Sequence, residues 1–469
     1  MNFNKKLAVA VSGAVLLMAG QFAFADSTTD IVDALVGKGV LTEEEGKLIS
    51  KGHESKKKAE GTVGFKDGFK FTSGDGKSNF SINGRVQLDY RNYNMGNYGT
   101  ANDKISDTFD VRRAYLGAKG TFRKYYDWEV TADFASLSGS DSTDSTANAS
   151  KTMSHLDVAY FNVNYFDKKA MLQFGQFKMP MSLEERTSSR FIDFQERSFV
   201  NNTQLTSGKE RGIMLWGTPI TGVNYALAMS SGQGKNNNEY NQARDSVDYI
   251  AHIDTNIAEI MGNKEAIAHF GLSYSNTDMP AGTTNNTAIK QRTEARGYEF
   301  FAPTTLSTAV ERTRTAFETA LAYQSFKLQG EYANANFKND SLNQDLDAYY
   351  VSALWLVTGE NYADSFKGGK FDRITPKKDF NPDFSSFGAI ELGLRLSQFD
   401  GSELLPTTTA TSANKVDTIT AGLKWIPTGN ARIMLTYVNT DFNKDITLAG
   451  SGKTTSKENA FMMRAQYDF

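Results

Sequence analysis

Hydrophobic and polar residues alternate with a period of two along most of the chain after residue 78. In the last segment, residues 460–469, one face carries only apolar or aromatic side chains: Phe461, Met463, Ala465, Tyr467 and Phe469. The other face is mainly polar: Met462, Arg464, Gln466 and Asp468. This period indicates an extended strand that lies between two unlike environments.

Sixteen segments of this kind are predicted, and the connections between them alternate in length. The segments start near residues 80, 109, 126, 155, 170, 210, 223, 246, 266, 314, 326, 347, 387, 416, 431 and 459. Short turns alternate with long loops at 92–108, 136–154, 178–208, 231–245, 276–312, 399–415 and 442–457. Two connections depart from this pattern, a moderately long one at 255–265 and a very long one at 358–385. Residues 349–357 are apolar on both faces, which would suit packing against a sister subunit.

The strand number and the loop asymmetry predict a closed barrel over residues 78–469. A sheet in lipid must satisfy every backbone N–H and C=O group, so it has to close on itself. Short turns at one rim and long loops at the other are typical of bacterial outer-membrane barrels, and sixteen strands leave an aqueous lumen. The predicted fold class is all-β: a 16-stranded antiparallel transmembrane β-barrel with a short helical N-terminal extension. The alternative is a large secreted β-sandwich or β-helix.

The N-terminal residues differ from the barrel segments. Residues 1–25 are predicted to be a secretory signal peptide, because two lysines precede an apolar stretch that ends at Ala23-Phe24-Ala25, so the mature chain is expected to begin at Asp26. Residues 26–77 are predicted to form a periplasmic extension and linker. Helical spacing and a capping box at Thr42-Glu-Glu-Glu45 favour a short helical hairpin. A solvated extension without fixed structure is the alternative.

Composition argues against enzymatic and nucleic-acid functions. The 469 residues contain no cysteine and four histidines, and the net charge is −3. Disulfides and cysteine metal sites are therefore excluded, and no overall basic field attracts nucleic acid. Neither an HExxH nor a GxSxG motif occurs, and residues 449–455 resemble a phosphate loop that lacks its first glycine. The sequence therefore predicts no enzyme, no cofactor and no metal.

The connection at 178–208 is the strongest functional candidate in the sequence. It mixes charged and aromatic residues between Glu184 and Arg197, more densely than a solvated loop tip needs. A loop folded into the lumen would pack such side chains against the wall, and its charges would narrow the pore and set ion preference. An ordinary surface loop is the alternative.

Two adjacent arginines, Arg112 and Arg113, raise a geometric question. Neighbouring strand residues point to opposite faces, and an arginine in mid-membrane hydrocarbon costs about 2–4 kcal/mol. Either a bulge turns both side chains inward, or one of them lies at a subunit interface or at the polar rim. Arg113 fits the inward set better, because Ala114, Leu116 and Ala118 form the outward set.

At this point the residues resemble a known family. The motifs are, in order, GRVQLDY (84–90), VRRAYLG (111–117), GQFK (175–178), LEERTSSR (183–190), QERS (195–198), LVTGE (356–360), GLKW (422–425) and RAQYDF (464–469). Their order and spacing resemble the phosphate-selective porins O and P, which are trimeric sixteen-stranded outer-membrane anion channels. The resemblance therefore implies a homotrimer in outer-membrane lipid that passes small inorganic anions.

The resemblance also implies site residues, which the family arranges as an arginine ladder leading to a basic constriction with one aspartate. The implied residues are Arg112 and Arg113 at the constriction, Asp157 as its acid, Arg190 on the inward loop, Arg85 on the anion path, and Lys290, Arg292 and Arg296 on the ladder loop. One departure is Glu185, which stands where the phosphate porins can carry lysine.

The sequence thus predicts an outer-membrane porin of a Gram-negative cell that passes small anions by diffusion. Phosphate, pyrophosphate, another oxyanion and general anion passage all remain open. The alternatives are a non-selective general porin, an outer-membrane lipid hydrolase and an adhesive or structural barrel without conductance.

Overall fold

A computed structural model describes most of the chain. The described residues are 27–64, 68–94, 107–135, 156–202, 204–232, 234–236, 247–279, 289–301, 306, 308–404, 412–447 and 454–469. The predicted signal peptide therefore lies outside the described residues. The chain divides into two compact units, one made of residues 1–63 and 71–79 and the other of residues 64–70 and 80–469.

The N-terminal unit contains two helices, α1 (Ser27–Gly37) and α2 (Glu43–Glu60). The predicted capping box is confirmed. The Glu45 N–H donates to Thr42 Oγ1 at 3.3 Å, and the Thr42 N–H donates to Glu45 Oε2 at 2.9 Å. Among the described residues, none of the helices has the length and apolar character required to cross a bilayer.

The second unit is a closed antiparallel β-barrel, so the predicted fold class is confirmed. Within the described residues sixteen strands pair in sequence order, and the last strand pairs with the first. The strands are β1 (Asn79–Asn94), β2 (Thr108–Phe122), β3 (Tyr126–Asp133), β4 (Leu156–Val163), β5 (Met171–Lys178), β6 (Lys209–Ile220), β7 (Val223–Ser230), β8 (Asp248–Asn256), β9 (Ala266–Met279), β10 (Val310–Tyr323), β11 (Phe326–Lys338), β12 (Asn343–Leu356), β13 (Ala389–Asp400), β14 (Lys415–Thr428), β15 (Ala431–Thr447) and β16 (Thr454–Asp468).

Short elements lie in the connections between these strands. They are the helical turns Leu183–Arg186, Phe199–Asn201, Ile257–Ile260 and Tyr362–Ser365, and the strand pairs Gln291–Arg292 with Glu299–Phe301 and Phe366–Lys367 with Lys370–Phe371. Two further short strands are Thr62–Gly64 and Phe69–Thr72. The β11–β12 connection, residues 339–342, is a tight turn on the rim that otherwise carries the long loops.

The seam between β16 and β1 is held by backbone and side-chain contacts. Gly84 and Phe469 exchange backbone hydrogen bonds at 2.9 and 3.1 Å. The Phe469 ring lies over Gly84, where a Cβ atom would come within 2.4 Å of the ring, so a side chain at Gly84 would displace the terminal phenylalanine. Further along the seam, Arg464 donates to both oxygens of Asp89 at 2.6 and 2.8 Å.

The barrel carries its apolar face outside, as the alternation predicts. In β16 the outward residues Phe461, Met463 and Tyr467 are exposed, while the inward Arg464 and Asp468 are fully buried. The inward residues are buried because connecting segments occupy much of the lumen. This arrangement is the inverse of a water-soluble barrel and matches the pattern expected of strands that face lipid.

Part of the barrel interior is an apolar core. Side chains from the β5–β6 connection and from residues 289–301 pack there against the inner faces of β10–β15: Met179, Met181, Phe199, Val200, Leu205, Phe300, Phe301, Phe337, Leu346, Phe399 and Phe442. Phe199, Phe300 and Phe399 meet edge to face, with ring centroids 5.4–6.0 Å apart. Leu346 and Tyr350 on the inner face of β12 belong to this core, and Leu354 and Leu356 belong to a second apolar cluster, so packing inside the barrel accounts for the apolar inner face of this strand.

The very long connection between β12 and β13, residues 357–388, also folds into the barrel. Tyr362 is fully buried and donates to Glu391 Oε2 at 3.0 Å. Phe366 and Phe371 join Leu183 of the β5–β6 connection in a second apolar cluster. Two inserted segments, one from each rim, thus meet inside the lumen.

Candidate functional site in the lumen

The β5–β6 connection, residues 179–208, is here called the lumenal loop. Its Glu196 accepts hydrogen bonds from arginines on three neighbouring strands. The distances from its carboxylate are 2.9 Å to Arg91 on β1, 2.9 Å to Arg112 on β2 and 3.1 Å to Arg464 on β16. Burial opposes ionisation of Glu196, but these arginines outweigh it and hold its pKa well below the ordinary value.

Further ion pairs fix the opposite side of the lumenal loop. Arg395 on β13 donates to Glu184 at 3.2 Å, and Lys327 on β11 donates to Asp193 at 2.6 Å. Burial raises the pKa of Glu184, against the opposing effect of Arg395. The backbone N–H groups of Leu183 and Glu184 donate to the Glu331 carboxylate at 3.0 and 2.7 Å. The loop therefore folds into the lumen and is anchored there, as its composition predicted.

A cavity of about 490 Å³ lies between the lumenal loop, the inner faces of β1–β8 and the tip of segment 357–388. Among the described residues, seven cationic side chains line it: Arg85, Lys119, Lys178, Arg186, Arg190, Lys209 and Lys370. Four carboxylates do so: Glu129, Asp157, Asp254 and Asp372. The cavity wall is thus positive, although the whole chain is slightly acidic.

Asp157, the acid that the resemblance implies, is neutralised by two lysines. Lys209 Nζ lies 2.7 Å from both carboxylate oxygens, and Lys235 Nζ lies 3.1 Å from Oδ1. The Tyr115 hydroxyl adds a hydrogen bond at 3.1 Å. Asp254 is likewise paired, with Arg186 at 3.1 Å. Two of the four carboxylates on the cavity wall are thus already paired with cations, and the wall keeps an excess of positive charge.

Arg85 and Arg190 line the same cavity and carry charges that no carboxylate neutralises directly. Arg85 Nη1 donates to Ser189 Oγ at 3.0 Å, and its guanidinium lies 4.3 Å from the Tyr115 ring centroid. Arg190 Nη2 donates to Asn83 Oδ1 at 3.0 Å. In the part of the chain that the structure describes, neither arginine has an acid within salt-bridge distance. Burial lowers the pKa of Arg190 below its ordinary value.

Arg112 and Arg113 both make contacts inside the barrel, which answers the geometric question. Arg112 bonds Glu196, and Arg113 Nη1 donates to Gln87 Oε1 at 2.9 Å. Phe109 and Val111 are the exposed residues of β2 before the two arginines, and Leu116 is the first exposed residue after them, so the alternation shifts by one residue. A local irregularity therefore turns both side chains inward, which is the first of the two alternatives predicted from the sequence. Neither arginine is among the residues that line the cavity, and their place on the anion path stays a prediction.

The three candidates of the ladder loop lie apart from this cavity. Lys290, Arg292 and Arg296 belong to the inserted segment 289–301, and none of them lines the cavity. Asn202 of the lumenal loop donates to the Lys290 carbonyl at 2.8 Å, and Arg292 lies 3.8 Å from Glu299. The structure thus brings together Arg85, Asp157 and Arg190, and it separates them from the ladder candidates.

Four lysines at the cavity or bound to Asp157 are not predicted as site residues from the sequence: Lys119, Lys209, Lys235 and Lys370. Lys119 follows the VRRAYLG motif closely in the chain, but alternation alone does not say which lysines meet in space. Lys370 lies at the tip of segment 357–388, whose placement the strand pattern does not predict. No single-sequence signal identifies this residue.

Comparison with known proteins bears on what this lumen does. The model of the family described as phosphate-selective porin O and P matches residues 80–469. Porin O of Pseudomonas aeruginosa is 23% identical over 435 residues, which cover 86% of this chain and 91% of that protein. The anion-selective porin from Comamonas acidovorans is 12% identical with a TM-score of 0.50, covering 84% of this chain and 100% of that one. The outer membrane channel DcaP of Acinetobacter baumannii has a TM-score of 0.46 at 12% identity, covering 85% and 99%.

The family match extends from the start of β1 to the end of β16, so it covers the strands and the inserted segments alike. The closed sixteen-stranded barrel with an apolar exterior agrees with it. The chain therefore belongs to the phosphate-selective porin O and P family and forms a porin channel in the outer membrane of a Gram-negative bacterium.

Proposed function

We propose that this porin prefers small anions and that phosphate or a related oxyanion is its preferred solute. The observation that carries the proposal is the excess of cationic side chains over carboxylates on the cavity wall. The description of the family, phosphate-selective porin O and P, supports the same class of solute. Rings of charged side chains of one sign select ions of the opposite sign in channels.

The proposed binding position lies between Arg85, Arg190 and Lys370. These side chains line one cavity and lack carboxylate partners within the described part of the chain. Guanidinium groups present a planar fork of donors that matches two oxygens of a phosphate, and lysine adds a point charge. Arg190 has no carboxylate partner in the described part of the chain, and a bound oxyanion would supply that counter-charge. Passage is diffusion through a charged, narrow lumen without any bond making.

Planar-bilayer conductance tests this proposal directly. In a KCl gradient the reversal potential is expected near the Cl⁻ equilibrium potential, and added phosphate is expected to block the chloride current. Near-equal K⁺ and Cl⁻ permeability would instead identify a non-selective general porin. Absence of conductance from correctly inserted protein would indicate a structural barrel, and esterase activity lost with one serine would indicate a lipid hydrolase.

Lys370→Glu should weaken anion preference, because it changes the cavity wall from seven cations and four acids to six and five. The reversal potential in a KCl gradient is expected to move toward zero. Lys444→Glu is the matched control, because it makes the same charge change at an exposed residue that does not line the cavity. Equal shifts in the two variants would show that net charge, and not the cavity wall, sets selectivity.

We further propose that the channel is a homotrimer embedded in outer-membrane lipid. The resemblance to a family of trimeric porins supports this assembly. The exposed outward residues Tyr349, Val351 and Trp355 supply apolar surface for lipid or for a neighbouring copy. Native mass spectrometry of the detergent-extracted protein tests the proposal, and a mass corresponding to one chain would contradict it.

A further inference from the structure

Two histidines and two carboxylates cluster on the inner face of β8, β9 and β10. Asp254, Gly271 and Glu318 stand opposite one another in one row across these strands. Gly271 leaves room for the cluster, because a Cβ atom there would lie 2.6 Å from Glu318 Oε1. His252 and His269 flank the row on β8 and β9, so four side chains with metal-ligating atoms converge on one small volume.

The distances within the cluster suit ligands of one ion. One ligand atom each from His252, Asp254 and Glu318 lies within 4.8 Å of the others. His252 Nε2 is 2.9 Å from Asp254 Oδ2, and His269 Nε2 is 2.8 Å from Glu318 Oε1. All four residues are buried.

Two atoms of the cluster lack hydrogen-bond partners in the part of the chain that the structure describes. They are His269 Nδ1 and Glu318 Oε2, on residues that are 0% and 1% exposed. His269 Nδ1 points into the cluster, 3.9 Å from Asp254 Oδ1. Buried ligand atoms without partners are costly to maintain, and coordination of an ion would satisfy them.

One cationic group already contacts this cluster, namely the guanidinium of Arg186 from the lumenal loop. It bonds Asp254 Oδ2 at 3.1 Å and also Glu318 Oε1. Burial opposes the charge on Arg186, but Glu318 and Asp254 outweigh it and raise its pKa. Apart from the histidines, the two carboxylates and one guanidinium leave a net negative charge, which favours a further or a replacing cation.

We propose that His252, Asp254, His269 and Glu318 form a binding site for a divalent transition-metal ion, which competes with Arg186 for the two carboxylates. Imidazole and carboxylate ligands suit Zn²⁺, whereas Mg²⁺ prefers oxygen ligands and water. His252 and Asp254 line the lumenal cavity, so an ion in the channel reaches the site without passing through the wall.

Metal binding at this position would act on the channel through the lumenal loop. Arg186 is one of the loop's anchors, and an ion bound by Asp254 and Glu318 releases its guanidinium toward the cavity. The site therefore couples the transition-metal concentration in the lumen to the position of the loop that narrows it.

Zn²⁺ titration of the purified, untagged full-length chain in detergent, after removal of metals with a chelator, tests the proposal. Isothermal titration calorimetry should detect saturable binding of one Zn²⁺ per chain and no comparable binding of Mg²⁺. His252→Gln and His269→Gln should each weaken Zn²⁺ binding by more than the roughly tenfold that loss of an outer-shell partner typically causes, because each loses a ligand. His53→Gln is the matched control, because His53 lies in α2 of the other unit.

Arg186→Gln gives the opposite sign and separates metal binding from simple structural damage. Loss of the competing cation should tighten Zn²⁺ binding, whereas a purely structural network would show no gain. Heat-modifiable electrophoresis checks that each variant has formed its barrel. The proposal is overturned if the wild type shows no saturable binding, if both histidine variants bind as the wild type does, or if Arg186→Gln does not bind more tightly.

Discussion

Glu196→Gln is expected to release the lumenal loop and to destabilise the barrel by about 3–5 kcal/mol, the usual cost of breaking a buried ion pair from one side. Glu196 is the shared partner of Arg91, Arg112 and Arg464. Its neutral isostere leaves three buried guanidinium groups with less counter-charge. The temperature at which the barrel unfolds in heat-modifiable electrophoresis should fall, and single-channel conductance should rise as the loop loses its anchor.

Glu299→Gln is the control for this change. Its partner Arg292 lies 3.8 Å away, and both side chains are substantially exposed. Exposed pairs contribute about 0–1 kcal/mol, so little effect on unfolding is expected. An unfolding temperature for Glu196→Gln equal to that of the control would show that the arginines around Glu196 find other partners and that the loop is held elsewhere.

Arg85→Gln and Arg190→Gln are expected to raise the phosphate concentration needed for half-maximal block of the chloride current. Hydrogen bonds to charged groups contribute about 1.5–3 kcal/mol, so each substitution should weaken block roughly tenfold or more. The effect is expected to be larger for phosphate than for chloride conductance, because only the oxyanion uses both donors of a guanidinium fork. Block is measured on single channels by titrating phosphate at constant ionic strength.

Arg123→Gln provides the matched control, because this arginine lies in the turn between β2 and β3 and does not line the cavity. It removes the same charge from the same residue type. Unchanged block in both Arg85→Gln and Arg190→Gln would place the phosphate site elsewhere in the lumen. Equal weakening in all three variants would point to a long-range effect of net charge instead.

The strand pattern predicts the barrel because contact with lipid requires an apolar side chain at every second residue. In β16 the apolar set from Phe461 to Phe469 faces outward and the mainly polar set from Met462 to Asp468 faces inward, as a barrel in lipid requires. Local alternation is enough here, since lipid imposes the same demand along each strand. The starts of the strands agree with the predicted segments to within a few residues.

The candidate site was less predictable because its contacts join residues that are far apart in the chain. The composition of 178–208 predicted a loop in the lumen, but Glu196 meets Arg464 at a sequence separation of 268 residues. The partners of Asp157 are Lys209 on β6 and Lys235 in the β7–β8 connection, and neither carries a periodic signal. The lumenal position of segment 357–388 is a property of tertiary packing, and the pattern of the flanking strands does not contain it.

The occupied interior constrains the order of events during biogenesis. Segment 357–388 enters the cylinder from the rim of short turns, yet four strands, β13–β16, follow it in the chain. Such a bulky segment, with Tyr362, Phe366 and Phe371 packed at its centre, enters more easily while the cylinder is still open than through the mouth of a closed and filled one. The pairing of β16 with β1 is therefore expected to be the final step, so that intermediates trapped before it already protect this segment from proteases.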